Sequence, residues 1–346
     1  MFRHLIRLLL IMTVTMAAGC TIRLEKTAVK DQKLLSLPQI NSNGYEKTSD
    51  DANSTSFKQL DYSEIRLPEP TRIGYESFYF DHINLIAVPG RLFNGREYSV
   101  LLDTGFPGYV LTNSLTVLEN KLSVLPLGEA DWYSAHMGVC EVPALYIGSA
   151  EIVEPPCMYV QMQWEVKVVG LPVWRQKGFL IGLGMLRNFS YVGFDNVSEE
   201  VELSAADAFE PDTPADWDSY PLKISDDKLF VEMPFYGRTM ELMFDTCGRY
   251  GMIVGEKGFE TLGLDKGSVD IRKTTFRSGF LGELPCRKAR IKNLEIANLK
   301  IPSAELIILP ENSPYMEAEN SISMKFFRNT TVVLDFANER MWVRKS

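Results

Sequence analysis

The chain has 346 residues, 45% of them apolar, enough for a large core spread over one or two domains. Its formal charge of −9 argues against a nucleic-acid partner. No run of 18 apolar residues occurs, so no ordinary membrane span is expected.

Residues 1–19 read as a targeting segment. Arg3 and Arg7 precede the apolar run LLLIMTVTM, and Ala17-Ala18-Gly19 leads into Cys20. This is the layout of a secretory signal. The cysteine makes it resemble a bacterial lipobox, in which Cys20 is lipidated and becomes the first mature residue. A plain secretory signal cut nearby is the alternative. Thr21 stands where an inner-membrane retention signal has aspartate. The expected location is therefore the cell envelope, at the outer membrane facing the periplasm of a Gram-negative cell. The membrane would be one partner, held through acyl chains on Cys20.

Residues 20–70 are polar and aperiodic, centred on NSNGYEKTSDDANSTS and closed by Pro68 and Pro70. They read as a flexible tether; about 50 residues of coil span roughly 40 Å root-mean-square. From 71 onward, short apolar runs such as INLIAVPG, YSVLLDTG and PALYIG alternate with turns rich in Gly, Pro, Asn and Asp. The pattern is mostly β. Short helices are expected only at 114–122 and 257–264. A second break at 206–220, acidic and with two prolines, reads as a linker. It separates 71–205 from 221–346, two pieces of nearly equal length.

Those pieces carry an internal repeat. YSVLLDTGFPGYVL (98–111) matches TMELMFDTCGRYGMIV (239–254), and MLRNFSYVGFD (185–195) matches FFRNTTVVLD (326–335). Asp103 to Asn188 is 85 residues and Asp245 to Asn329 is 84. Asp103 to Asp195 is 92 and Asp245 to Asp335 is 90. Matched order and spacing predict two homologous β lobes with a central cleft, and make MFDTCG the second copy of LLDTGF. A pseudo-twofold would bring Asp103 and Asp245 face to face. Close carboxylates share one proton, so that one acts as base and the other as acid. Asp195 and Asp335 read as strand-end residues.

LLDTG, LIGLG (180–184) and the doubled layout resemble the pepsin-like and retropepsin-like aspartic peptidases over about 75–346. The resemblance implies two pepsin/retropepsin-like β-barrel lobes, a catalytic pair Asp103 and Asp245, and Thr104 and Thr246 bracing the two loops. It implies supporting roles for Gly105, Gly248, Ile181 and Gly182, and hairpin flaps at 132–139, which includes His136, and at 276–284. The substrate would be an extended peptide or protein of the envelope. No cofactor is implied, and a monomer is expected because both lobes lie in one chain.

The second copy departs from the pattern. Cys247 stands where glycine follows Asp-Thr, Gly248 comes next, and the turn reads one residue longer than its partner. Ser323 stands in SISM (321–324) where glycine is expected. Phe106 replaces a serine donor near Asp103, which would make the optimum less acidic. An impaired pseudo-peptidase that binds extended peptide is therefore the alternative, and a structural lipoprotein is a third reading. Two histidines outside the signal and no Cys-x-x-Cys leave no zinc site expected. Cys140, Cys157, Cys247 and Cys286 allow two disulfides; the lobe-respecting pairing is Cys140–Cys157 and Cys247–Cys286, with a free Cys247 thiol as the other option.

Overall fold

The computed structural model describes residues 22–28, 34, 36–40, 45–47, 57–59, 64–80, 83–130, 135–168, 171–175, 177–235, 238–263, 269–278, 282–311, 313 and 320–345. The signal segment, Cys20 and the tips of both expected flaps, 131–134 and 279–281, lie outside them. The described residues are mostly β, as the short apolar runs require. No described helix is long and apolar enough to cross a membrane.

The chain divides into two compact units. The first comprises 1–43, 112–140 and 158–178. In it Ile22–Ala28 pairs antiparallel with Met162–Val168, which pairs in turn with Leu171–Arg175. Val124–Ala130 pairs with Ala135–Cys140. The helix Ser114–Asn120 starts at Asn113, whose side chain accepts the Thr116 amide at 3.1 Å, an N-cap that satisfies one orphan donor. Leu34 and Ile40 are buried. Segment 20–70, expected as coil, therefore contains a paired strand and buried apolar side chains. His136 is half-buried, and its carbonyl accepts the Gln161 amide.

The second unit comprises 44–111, 141–157 and 179–346 and contains both Asp-Thr turns. One sheet runs, in spatial order, through Gly178–Gly182 (all but its first residue in this unit), Glu97–Asp103, Ile83–Leu92, Ala144–Ile147, Ala150–Val153 and Glu64–Arg66. Another has 13 described strands. It begins with the hairpin Val269–Ser278/Gly282–Ile296, then Leu299–Leu309, Met252–Gly255, Ser321–Ser323 and Arg238–Asp245. It continues through Lys228–Phe235, Trp217–Ser225, Arg340–Arg344, Thr331–Asp335, Tyr191–Asp195 and Glu200–Ser204 to Thr71–Gly74.

The repeated segments sit symmetrically in this frame. Tyr191–Asp195 pairs antiparallel with Thr331–Asp335, with Tyr191 opposite Asp335 and Asp195 opposite Thr331. The two late RN segments thus meet each other across a local twofold. Asp195 accepts the Val197 and Ser198 amides, and Asp335 accepts from Asn338 and the Trp342 indole. Both are strand-end turn residues. The expected linker is packed: the Phe209 ring meets Tyr191 at 5.5 Å and Trp217 at 5.1 Å, both edge-on.

Candidate active site

Both dyad strands alternate with period two. In Glu97–Asp103, Val100 and Leu102 are buried; in Arg238–Asp245, Met240, Leu242 and Phe244 are buried. That phase leaves each terminal aspartate half-buried, with solvent on one side. Each carboxylate is gripped by its own turn. Asp103 Oδ1 accepts the Gly105 amide at 2.9 Å, and Asp245 Oδ1 accepts the Cys247 amide at 2.8 Å.

The two loops are laced by a reciprocal pair of threonines. Thr104 Oγ1 donates to the Phe244 carbonyl at 2.7 Å and accepts the Thr246 amide at 3.0 Å. Thr246 Oγ1 donates to the Leu102 carbonyl at 2.7 Å and accepts the Thr104 amide at 3.0 Å. Thr104 is 2% exposed and Thr246 1%, so these four bonds are sheltered from water.

The brace brings the carboxyl groups of Asp103 and Asp245 into hydrogen-bond contact. Burial and the neighbouring Asp245 charge push Asp103 well above the usual carboxylate range. Burial raises Asp245 to about 6, against the pull of the Cys247 and Gly248 amides and of Asp103 as donor. The two carboxyls therefore hold one proton between them to a pH above the usual carboxylate range. A carboxyl raised in the folded state stabilises the fold below its unfolded value and loses that contribution as pH rises through its folded value. The Asp245 contribution should be lost between about pH 4 and pH 6, and that of Asp103 on to higher pH. Asp103→Asn should remove the Asp103 part of that fall, so the variant gains stability relative to wild type on going from pH 4 to pH 7. Urea unfolding at pH 4 and pH 7 reads this directly; equal differences at both values would refute it.

The departures in the second copy are compensated in space. Gly182 donates its amide to the Tyr109 carbonyl at 2.8 Å, and Ser323 donates to the Gly251 carbonyl at 2.9 Å. Tyr109 and Gly251 each lie six residues after their aspartate. The two turns are therefore equal in length, a correction to the extra residue read from sequence: Gly248 answers to Phe106 and Ser323 to Gly182. In the first copy the Phe106 ring lies where a Gly182 Cβ would stand, 2.5 Å from its Cδ1, and the Gly108 carbonyl is 2.2 Å away. In the second copy the bulk is exchanged. Ser323 carries the side chain, and Gly248 yields, since a Cβ there would sit 2.6 Å from Ser323 Cβ. Neither copy could carry both side chains. Gly182→Ala should cost about 1–3 kcal/mol because backbone oxygen cannot move aside, whereas Gly193→Ala, whose Cβ meets nothing nearer than 3.6 Å, should be near neutral. Thermal unfolding of the two variants compares them. Ile181, behind Gly182, is fully buried.

Gly105 is required for a different reason. A Cβ there would lie 2.7–2.9 Å from the atoms of the Asp245 carboxyl group. The pairings Cys140–Cys157 and Cys247–Cys286 are corrected: none of the four described cysteines is in a disulfide. Cys286 packs with Phe276, Ile307 and Leu309, while the Cys247 thiol donates to the Leu102 carbonyl at 3.4 Å. Cys140 and Cys157 are each buried and unbridged. Among the described residues no cluster of three His, Cys, Asp or Glu could hold a metal ion. Phe106, Gly108 and Gly251 were not singled out for packing on this site in the sequence, because their importance lies in which residue each one faces.

No family model matches the chain, and no curated protein is similar to it. Solved structures similar to it include conglutin gamma, a basic 7S globulin from lupine seeds, at 10% identity and TM-score 0.45, covering 81% of this chain and 96% of that one. The basic 7S globulin from soybean is similar at 11% identity and TM-score 0.43, covering 80% and 95%. These findings overturn the family resemblance read from sequence: the similar solved structures are basic 7S seed globulins, a different family from the pepsin-like and retropepsin-like aspartic peptidases. The pepsin-like description of the lobes is withdrawn with it, and the fold stands as mostly β with two curled sheets. At these scores neither likeness carries an argument about activity.

Proposed function

We propose that Asp103 and Asp245 work as an acid–base pair that hydrolyses amide bonds within extended peptides or envelope proteins. The observation that carries this reading is the hydrogen-bonded, solvent-reached carboxyl pair on two loops locked by reciprocal threonine bonds. Such a site suits one chemistry above others. Ionised Asp245 takes a proton from a water held between the carboxyls, and the water oxygen attacks the carbonyl carbon. Protonated Asp103 gives its proton to the carbonyl oxygen. The tetrahedral species then collapses: the C–N bond breaks, the amine leaves with the proton that Asp245 had taken, and one hydroxyl returns its proton to Asp103 as the new carboxylic acid forms. One proton is in place at the start and one at the end.

The proton inventory sets the pH dependence. The working form has Asp245 ionised and Asp103 protonated, so hydrolysis should rise as pH increases through about 6. A randomised peptide library incubated with the full chain from pH 3 to 9 tests this. Cleavage with an acid limb near 6 supports the reading. Intact library at every pH, from folded protein, sinks it, and a screen for retained peptides would then examine capture without cleavage. Lipid attachment at Cys20, with the site held at the cell envelope, belongs to the same proposal. Loss of membrane association in Cys20→Ala is its test.

A further inference from the structure

The strand that ends at Asp245 starts a row of paired residues across its sheet, all within the second unit. Met243 lies opposite Ser321, Ser321 opposite Ile253 and Ile253 opposite Ile307. Ile307 lies opposite Lys288, and Lys288 opposite Arg272. Paired residues share a face of a sheet, and so do residues two apart along a strand. Asp245 therefore shares its face with Ile253, Ile307, Lys288 and Arg290. The middle of that face is apolar, with Ile253 packed on a cluster that includes Ile307 and Phe276. Beyond it the face turns cationic. Glu305 accepts from Lys288 at 3.1 Å and from Arg290 at 3.0 Å. Lys325, two residues after Ser323, is half-buried beside them. Burial and the Arg328 charge, with Lys288 adding to them, lower its ammonium below the ordinary range, against the pull of Glu305. Among the described residues no carboxylate forms an ion pair with it. Three cations thus share one carboxylate, on a chain whose formal charge is −9.

We propose that Lys288, Arg290 and Lys325 hold acidic side chains of the extended peptide presented to Asp103 and Asp245, which makes acidic peptides the substrate class. The inference rests on the hydrolytic reading above and adds to it which peptides are taken. Four strand steps separate the Asp245 strand from the Lys288 strand. At about 4.8 Å a step they span at most about 19 Å, the length of about six residues of extended chain. A peptide lying along this face therefore places its acidic residues about six positions from the bond being cut. The cations already show the grip required, since Lys288 and Arg290 close on the Glu305 carboxylate together. Lys325 is recessed, so a side chain reaches it where a plane of lipid headgroups does not. Elsewhere a net negative surface repels an acidic peptide, and a local cationic subsite then fixes its register.

The test is binding of fluorescent peptides to the full chain carrying Asp245→Asn, which takes hydrolysis out of the measurement. One peptide series has glutamates on both sides of a neutral centre, and a second has glutamines in their place. The glutamate series should bind about tenfold tighter or more, with the gap closing as salt is raised. Lys288→Gln, Arg290→Gln and Lys325→Met together should abolish the gap. Lys345→Gln, which removes an equal charge from the ion pair with Asp218, should keep it. Thermal unfolding checks that the triple variant is folded; if it is not, each single variant should narrow the gap by about two- to threefold. Equal binding of the two series to the unaltered face, or a gap that survives in folded variants, would overturn the proposal. So would binding of phosphatidylglycerol vesicles through the same three side chains without selection between the peptides, which would assign the face to a lipid surface. The two readings fail separately. Acid-selective binding with no cleavage by the unaltered chain sinks the hydrolytic proposal alone. Cleavage of both series with equal affinity and rate sinks this one alone.

Discussion

Asp245→Asn is expected to reduce peptide hydrolysis by about 10³-fold or more, and to remove the acid limb of its pH profile, because an amide cannot take the water's proton. Asp103→Asn should give a loss of similar size with a different signature. It retains the base but lacks the proton donated to the carbonyl oxygen, so any residual activity should depend on pH only through Asp245. The two variants should differ from wild type in turnover more than in substrate binding, since both groups act on the reacting atoms. Single-turnover cleavage of one peptide selected from the library, at pH 5 and pH 8, separates the two signatures. Near-wild-type rates in either variant would show that the pair does not perform the reaction. Folding is not expected to confound the comparison, because Asn is isosteric and the grip of the Gly105 and Cys247 amides on the side-chain oxygen survives the exchange.

Thr246→Val should have the largest effect on stability of any conservative substitution near the site. The change preserves shape and removes only the hydroxyl, which donates to the Leu102 carbonyl and accepts the Thr104 amide. The Thr104 amide then lies buried without a replacement, and the Leu102 carbonyl keeps only the weak bond from the Cys247 thiol. At about 1–3 kcal/mol for an unsatisfied buried group, with a smaller cost for the weakened carbonyl, the expected loss is about 2–4 kcal/mol. Thr104→Val should cost a similar amount through the Phe244 carbonyl and the Thr246 amide. The double variant should cost less than the sum, because the two hydroxyls serve one interlocked set of bonds. Denaturant unfolding of the three variants gives the cycle. Strict additivity would mean that the two halves of the brace are independent, contrary to the geometry. Loss of the brace should also free the aspartate loops, so activity should fall further than the folded fraction does.

Much of the site is legible in the sequence, and the reason is the repeat. Asp103 and Asp245, with Thr104 and Thr246, stand at matching positions in two similar segments, and the period-two apolar pattern of each strand predicts that the aspartates end it half-exposed. The strand-end roles of Asp195 and Asp335 follow from the same alignment, and the structure adds that their strands pair with each other. The short helices at Ser114–Asn120 and Glu256–Thr261 also fall where the periodicity puts them. Other expectations met facts that periodicity does not encode. Ile22–Ala28 gains its strand from a partner some 140 residues away, Met162–Val168, so a polar local composition said nothing about it. The proposed Cys247–Cys286 bridge assumed that cysteines in the same half are near one another. The actual Cys247 thiol turns to the Leu102 carbonyl, 145 residues earlier in the chain.

By itself the sequence determined the β character, the doubled Asp-Thr segments and the identity of the paired carboxylates, because these depend on local alternation and on order along the chain. Only the tertiary structure decided whether the second copy was damaged. Ser323 looks like a loss when read in line, yet Gly248 faces it, and the glycine makes the room that the serine uses. The same holds for the proton. Burial of two carboxyls side by side raises both above the ordinary range, and that closeness is set by contacts between residues far apart in the chain.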